Sequence, residues 1–535
     1  MNFKYLVLIV LFFGIKLNAQ ENKNVLFYID KEPVFTQEFI NVYKKNSAII
    51  EETSKNGIES YLDLYVNYKL KVKEAFELKL DTIQKFKKEL KEYKESLIAP
   101  YLKDKNVSEH LVKEAYDRIT KEVDVSHILL FLKPDATAND TLIAYNKLLE
   151  ARDLLQKGED FKEVALKYSE DPTVQQNGGR IGYFTGLQMV YPFENEAFNT
   201  KINEVSMPFR TKFGYHILKV HNVRNSKGDV EVAHIMIKND EALAKSKIDS
   251  IYTEITTNKA DFFELAKLVS DDKASGNNGG KLPKFGTGRM IENFANESFS
   301  LKNEGDISKP FQTQFGWHIV KLIKKYPIES FDILKEKLTE QVNNDERSNL
   351  IGQSVLKRLF KEYNVTVNTE ALNQFKTEDW KTNSDNFKSN LLKIKDENIS
   401  QSNFISYLKT VNSSDIDKAI VGFKEKEVLN YYKKNIETDN QEFALMFKEF
   451  KEGLLLFDLL EQKVWEKSKD STGLAHFFNE RKAEKYGDKN LSDIKGTVIS
   501  DYQSYLEQQW INNLHSKYNV EVNKTEKKKL LKLKL

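Results

Sequence analysis

The 535-residue chain contains no cysteine. Disulfide frameworks, thiolate catalysis and cysteine-ligated zinc are therefore excluded. Net charge is almost absent, since 82 basic side chains face 80 acidic ones. Such a balance exerts no long-range pull on nucleic acid, and no nucleic-acid partner is expected. Proline is scarce, nine residues in all, and none follows Pro327. Long apolar runs are scarcer still. The first, residues 5–15, covers 11 residues, whereas a helix needs roughly 20 to span a bilayer. Lys4 precedes this run, Lys16 ends it, and Leu17-Asn18-Ala19 supplies a small residue before Gln20. The pattern predicts a signal peptide over residues 1–19, cut after Ala19, and delivery to the periplasm. No cysteine follows the cut to carry a lipid anchor, and no later stretch is apolar enough for a stable membrane span.

Glycine and proline are present, but unevenly. Residues 122–325 hold 14 of the 22 glycines and six of the nine prolines. Both residue types punctuate turns and break helices, so the middle reads as compact and turn-rich and the flanks as long helices. The N-terminal flank opens with a short strand over 25–29, a turn over 30–33 and a helix starting near Thr36. Tyr61, Tyr65, Tyr68, Val72 and Ala75 step by four, three, four and three, an amphipathic helix. In the C-terminal flank Leu456, Leu460 and Val464 line one face, with Trp465 beside it. The last segment, 524–535, has six lysines and one acid and is expected to fray.

The middle repeats itself. VSHILL at 125–130 recurs as VAHIMI at 232–237, Asn177-Gly178-Gly179 as Asn278-Gly279-Gly280, and PFRTKFGYHILKV at 208–220 as PFQTQFGWHIVKL at 310–322. Each copy reads β–α–α–α–β–β. In the first, the strand covers 123–132, a helix follows with Asp140 as N-cap and Gly158 as stop, and Asp160 caps a second helix over 161–168. A glycine loop leads to a helical turn over 192–198 and two strands around 205–210 and 216–223. Such a pattern makes a small α+β domain around one antiparallel sheet.

At this point a resemblance becomes specific. Both copies carry a histidine in the first strand, Y/V-S-x-D before the glycine loop, GG-x-ϕ-x-x-F, Q/R-M with a phenylalanine four residues on, and F-G-aromatic-H-I at the end. Each copy resembles the parvulin family of peptidyl-prolyl isomerases, and the order of segments resembles SurA-like periplasmic chaperones. The implied organisation is a signal peptide (1–19), an N-terminal helical chaperone region (20–121), parvulin domains at 122–224 and 229–326, and a C-terminal helical chaperone region (327–535). The fold class is α+β, two tandem parvulin-like domains between mostly helical regions. The family's catalytic positions fall on His127, Asp171 and His216, and on His234, Asp272 and His318. Its substrate-binding wall falls on Ile181, Met189, Phe193 and Phe213, and on Leu282, Met290, Phe294 and Phe315. The resemblance implies that the two histidines of each copy form a hydrogen-bonded pair with the aspartate close by.

The residue types suit prolyl isomerisation. Rotating an X–Pro bond means crossing roughly 18–20 kcal/mol, because amide conjugation is lost. No covalent step is needed, only tighter binding of the twisted amide than of either planar isomer. Methionine and phenylalanine would grip the proline ring in a dry pocket, while the histidines and aspartate orient and polarise. The histidines also have a structural reading, a buried pair bonded to threonine that stiffens the sheet. No metal-ligand spacing such as HExxH occurs, and neither metal nor cofactor is expected. The second copy has Pro283 where the first has Gly182. Proline fixes φ and removes an N–H, so that loop should be reshaped and the first copy the better catalyst. The expected partners are unfolded secreted and outer-membrane polypeptides with X–Pro bonds. The alternative is a binding-only holdase whose parvulin folds recognise peptide without catalysis.

Overall fold

Apolar stripes on the flanking helices and alternating apolar positions on the strands of the middle require separate cores, and the molecule has several. A computed structural model describes residues 24–53, 57–133, 135–238, 243–376, 379–411 and 415–533. The expected signal peptide lies outside the described residues. The chain forms two compact units, one from residues 101–429 and one from residues up to 100 together with those from 430 onward. Thus 101–121 and 327–429 fold with the tandem repeat and not with the outer flanks. Among the described residues no helix is long and apolar enough to cross a membrane.

In the unit built from both ends, strand Val25–Ile29 turns through Asp30, which has φ +56°, into strand Glu32–Phe35. Pro33 therefore sits in a strand and not in the turn. It is tolerated because that strand is an edge of the sheet, where an N–H is dispensable. On the other side of Val25–Ile29 lies strand Val520–Val522, with Phe27 opposite Val522 and Ile29 opposite Val520. The tail expected to fray is folded over Lys524–Leu530, and its last two residues lie outside the described residues. Asn523 caps helix Lys524–Leu530 by accepting from the N–H groups of Thr525 and Glu526, and Leu530 is wholly buried. Helices Thr36–Thr53 and Gly57–Glu77 bring Phe39, Tyr65 and Leu70 into the same core. From the far end of the chain come Leu455, Leu459, Val464, Trp510 and Leu514. Near the end of helix Gln441–Leu460 the fully buried leucines are Leu455 and Leu459, and the expected Leu456 and Leu460 pack half-buried on the same core. A π-helical turn over Glu461–Trp465 adds a residue, which returns Val464 to the buried face.

In the other unit each repeat forms a four-stranded antiparallel sheet. In the first, the spatial order is Arg180–Phe184, Lys121–Phe131, Gly214–Asn225 and Phe209–Thr211. Helices Ala138–Gln156 and Phe161–Tyr168 cover one face and helix Tyr191–Asn199 the other. Strand Arg180–Phe184 replaces part of the expected glycine loop. The cap of helix Ala138–Gln156 is Thr137, and Asp140 reaches back to it as the third helical residue of a capping box. The second repeat follows the same plan, with central strands Asp229–Lys238 and Gly316–Tyr326. Pro283 has the effect expected of it. The edge strand shrinks from five residues to Phe285–Gly286, leaving an isolated bridge at Lys281.

A second duplication emerges only in three dimensions. Strand Asn390–Ile394 and strand Glu397–Ser400 form a hairpin that runs into helix Gln401–Val411, and strand Thr366–Val367 pairs with its first strand. Every register pair in this hairpin, including the bulge, equals one in the N-terminal hairpin displaced by 365 residues. Val367 meets Leu392 as Val522 meets Phe27. The added strands lie in YNVTVN at 363–368 and YNVEVN at 518–523, and each ends on an asparagine that caps a helix. Two copies of one hairpin–helix module therefore exist. One closes locally, and the other closes with the far end of the chain.

Candidate active site

The first site sits on two neighbouring central strands. His127 lies on Lys121–Phe131 and His216 on Gly214–Asn225, where Leu129 is opposite His216. Both histidines are buried. Their rings stack at 5.8 Å and 20°. His127 Nε2 is 2.9 Å from Asp171 Oδ2, and His216 Nε2 is 2.8 Å from Thr211 Oγ1. The second site repeats this. His234 Nε2 is 2.8 Å from Asp272 Oδ2, His318 Nε2 is 2.8 Å from Thr313 Oγ1, and the rings stack at 5.6 Å.

The glycine pair after Asn177 is what brings the aspartate loop against the histidine strand. The N–H of His127 donates to the Gly179 carbonyl at 2.9 Å, and that of His234 to the Gly280 carbonyl at 2.8 Å. Gly280 has φ +76°, and a Cβ there would stand 2.2 Å from the His234 carbonyl oxygen. Gly280→Ala is expected to destabilise the second domain by more than about 2 kcal/mol, because left-handed strain and a backbone clash act together. A thermal melt checks this, and an unchanged midpoint would refute it.

Protonation follows from burial. Burial first, and then the neighbouring His127, push His216 down to about 3, and burial with His234 pushes His318 down to about 4. Burial also lowers His127 and His234 against the pull of their aspartates. Burial alone would raise Asp171, but hydrogen bonds from Thr173 and the His127 contact outweigh it and hold the carboxyl low. Asp272 is likewise held low against burial, by Ser275 and His234. At neutral pH each site therefore holds two neutral imidazoles and one carboxylate.

An ionised carboxylate only accepts, so His234 donates from Nε2 to Asp272 and its Nδ1 is an acceptor. His318 Nδ1, 3.3 Å away, donates to it, and His318 Nε2 then accepts from the Thr313 hydroxyl. The Phe315 N–H donates to Thr313 Oγ1 at 3.1 Å. All the dipoles of this chain point toward the carboxylate. The histidine pair is thus hydrogen-bonded in the second copy. In the first, Nδ1 of His127 and Nδ1 of His216 are both buried without a partner, a departure from the paired arrangement that the resemblance implies.

The lowered histidines set a sign for pH dependence. Between about pH 6.5 and 3 the unfolded chain binds protons that the folded histidines do not, so stability is full above 6.5 and falls on acidification. A pKa displaced by one pH unit on folding corresponds to about 1.4 kcal/mol. The lowered aspartates act in the same direction at lower pH. Denaturant midpoints should decline steadily from pH 6.5 to 4, and a flat profile would contradict the buried neutral pairs.

The apolar side of the cup is Phe193. Its ring stands edge-on to His127 at 5.7 Å and to His216 at 5.5 Å, and it is buried against Phe184. Ile181 and Met189 pack on the same cluster, as Leu282 and Met290 pack around Phe294 in the second domain. Histidine, aspartate, methionine and phenylalanine therefore converge in both copies. Phe213 and Phe315 lie outside the buried clusters around Phe193 and Phe294. They sit in the turn between the two closing strands and are 48% and 57% exposed. Their backbone N–H groups bond Thr211 and Thr313. The sequence suggested a threonine partner for the histidines without naming which, and it missed Phe209 and Phe311, which stack on His216 at 5.5 Å and His318 at 5.6 Å. The signal was present in the repeated strings PFRT and PFQT. Thr173 and Ser275, which hold the aspartates, sit at different spacings in the two copies and left no repeat to notice. Among the described residues no group of three or more metal-binding side chains occurs.

Sheet, helices and site together define a parvulin-type prolyl isomerase domain, present twice. Residues 127–222 and residues 217–326 each match a family model described as a PPIC-type PPIASE domain. The chain is similar to the Chaperone SurA of Hahella chejuensis, 31% identical over 248 residues, covering 45% of this chain and 56% of that protein. The Chaperone SurA of Pseudomonas fluorescens is 29% identical over 228 residues, covering 41% and 53%. The chain spans about half the length of the curated relatives it matches. Among solved structures, the parvulin NmPin of Nitrosopumilus maritimus is 33% identical, with 19% of this chain and 97% of that chain covered and a TM-score of 0.16.

Proposed function

We propose that this chain is a peptidyl-prolyl cis–trans isomerase and chaperone that assists the folding of secreted or outer-membrane proteins in the periplasm, after removal of residues 1–19. The supporting observation is that each domain packs a methionine and a phenylalanine, Met189 with Phe193 and Met290 with Phe294, beside a neutral histidine pair and a single carboxylate. His127, Asp171 and His216, with His234, Asp272 and His318, would orient and polarise the X–Pro imide. Ile181, Met189, Phe193, Leu282, Met290 and Phe294 would hold the proline ring. With both oxygens of Asp171 bonded, to Thr173 and to His127, the carboxylate is placed for electrostatics and not for attack. A dry cup also withdraws water from the carbonyl, which removes hydrogen bonds that favour the planar amide. The segments 20–121 and 327–535 would be the chaperone regions around parvulin domains 122–224 and 229–326, and the clients unfolded chains with X–Pro bonds.

The test is magnetisation exchange by NMR between cis and trans forms of a proline tetrapeptide, with and without the full-length protein. Exchange accelerated well above the buffer rate supports catalysis. Peptide binding without acceleration would replace this reading with that of a binding-only holdase.

A further inference from the structure

The wall of the first pocket is fastened to helices outside its own domain. We propose that Glu194 is a positioning residue that, through Arg118 and Arg347, sets the Met189–Phe193 wall for substrate in the first domain only. This rests on the reading of that cup as a proline pocket.

Glu194 directly follows Phe193 in helix Tyr191–Asn199 and is wholly buried. Its Oε2 accepts the Leu187 N–H at 2.7 Å. Leu187 has φ +65°, a conformation that costs a leucine about 1 kcal/mol or more unless the surroundings hold it. One carboxylate thus ties both ends of the segment that carries Met189 and Phe193. Its Oε1 accepts from Arg118 Nη1 at 3.1 Å and from Arg347 Nη2. Arg347 is wholly buried, lies 4.5 Å over the Tyr191 ring and also pairs with Asp345. Arg118 lies 5.5 Å over both Tyr191 and Phe198, and donates to Asn195 at 2.7 Å.

Arg118 lies in the last turn of helix Lys105–Ile119 and Arg347 begins helix Arg347–Tyr363, and both lie outside residues 127–222. Burying three charges is costly, and an apolar contact would hold the helices as well. What the ionic cluster adds is direction: a planar fork fixes the carboxylate, and through it the turn. The second domain has none of this. Ala295 occupies the place of Glu194, and Gly288, at φ +81°, that of Leu187. The first pocket is held in advance, and the second is free to adapt.

The experiment uses full-length protein in two backgrounds. Met290→Ala reports the first domain and Met189→Ala the second. Arg347→Lys keeps the charge but removes the fork. In the first background KM for a proline peptide should rise about fivefold, with kcat within twofold and the Met189 methyl resonance shifted. In the second background both constants should stay the same. Should Arg347→Lys fail to fold, Arg118→Lys carries the same expectation. Equal losses in both backgrounds, or none in the first, overturn the proposal. If neither background accelerates exchange, the isomerase reading fails separately. The positioning role is then judged by peptide Kd in the first background, which should rise about fivefold, and an unchanged Kd overturns it.

Discussion

Ending the chain at Lys517 is expected to remove about 5 kcal/mol from the unit built from both ends of the molecule. The deletion takes away Tyr518 and Leu530, both buried, and each fully buried apolar side chain contributes about 2–3 kcal/mol. It also removes the strand opposite Phe27, Tyr28 and Ile29, and with it the bonds from the Asp30 N–H to the Asn519 carbonyl at 2.7 Å and from the Asn523 N–H to the Leu26 carbonyl at 2.9 Å. The Tyr518 hydroxyl would no longer bond Glu77. Since one or two kcal/mol is a large share of a typical stability, this unit should lose cooperative unfolding. Calorimetry or circular dichroism on the truncated chain measures the effect. A truncated chain that melts with the intact one would show that the segment is dispensable, as its lysine-rich sequence suggests.

Met189→Ala together with Met290→Ala should lower prolyl isomerisation by tenfold or more while leaving the fold in place. Both methionines are partly buried on the apolar clusters of Phe193 and Phe294, so truncation removes wall and little of the core. Losing most of a methionine's apolar contact with a proline ring costs about 1.5–3 kcal/mol, and each ~1.4 kcal/mol of transition-state binding is a factor of ten in rate. The single variants apportion the activity between the domains. A double variant with the exchange rate of the parent would remove the methionines from the site.

Much of the site is legible in the sequence because it is written twice. Two copies of a histidine, an aspartate, a methionine and a phenylalanine at nearly constant spacing constrain one another. The hydrogen-bond partners are harder to read, since Thr211 and Thr313 act through geometry five residues away from their histidines. Phe213 and Phe315 recur in the motif as well, and the turn leaves their rings exposed while their N–H groups enter the network. Asp140 passes for the cap because a capping box contains two candidate residues.

Composition and local pattern alone determined that the middle is two small α+β domains and that the flanks are helical. Glycine, proline and side-chain periodicity act within a few residues, and those are the scales on which strands, helices and turns are chosen. Tertiary structure alone decided which distant segments close which core. Asn519 bonds Asp30 across 489 residues, Arg347 reaches Glu194 across 153, and a three-residue strand completes a sheet begun at Val25. Segments that short carry too little pattern to name their partner, and burial and register choose it only once the cores form.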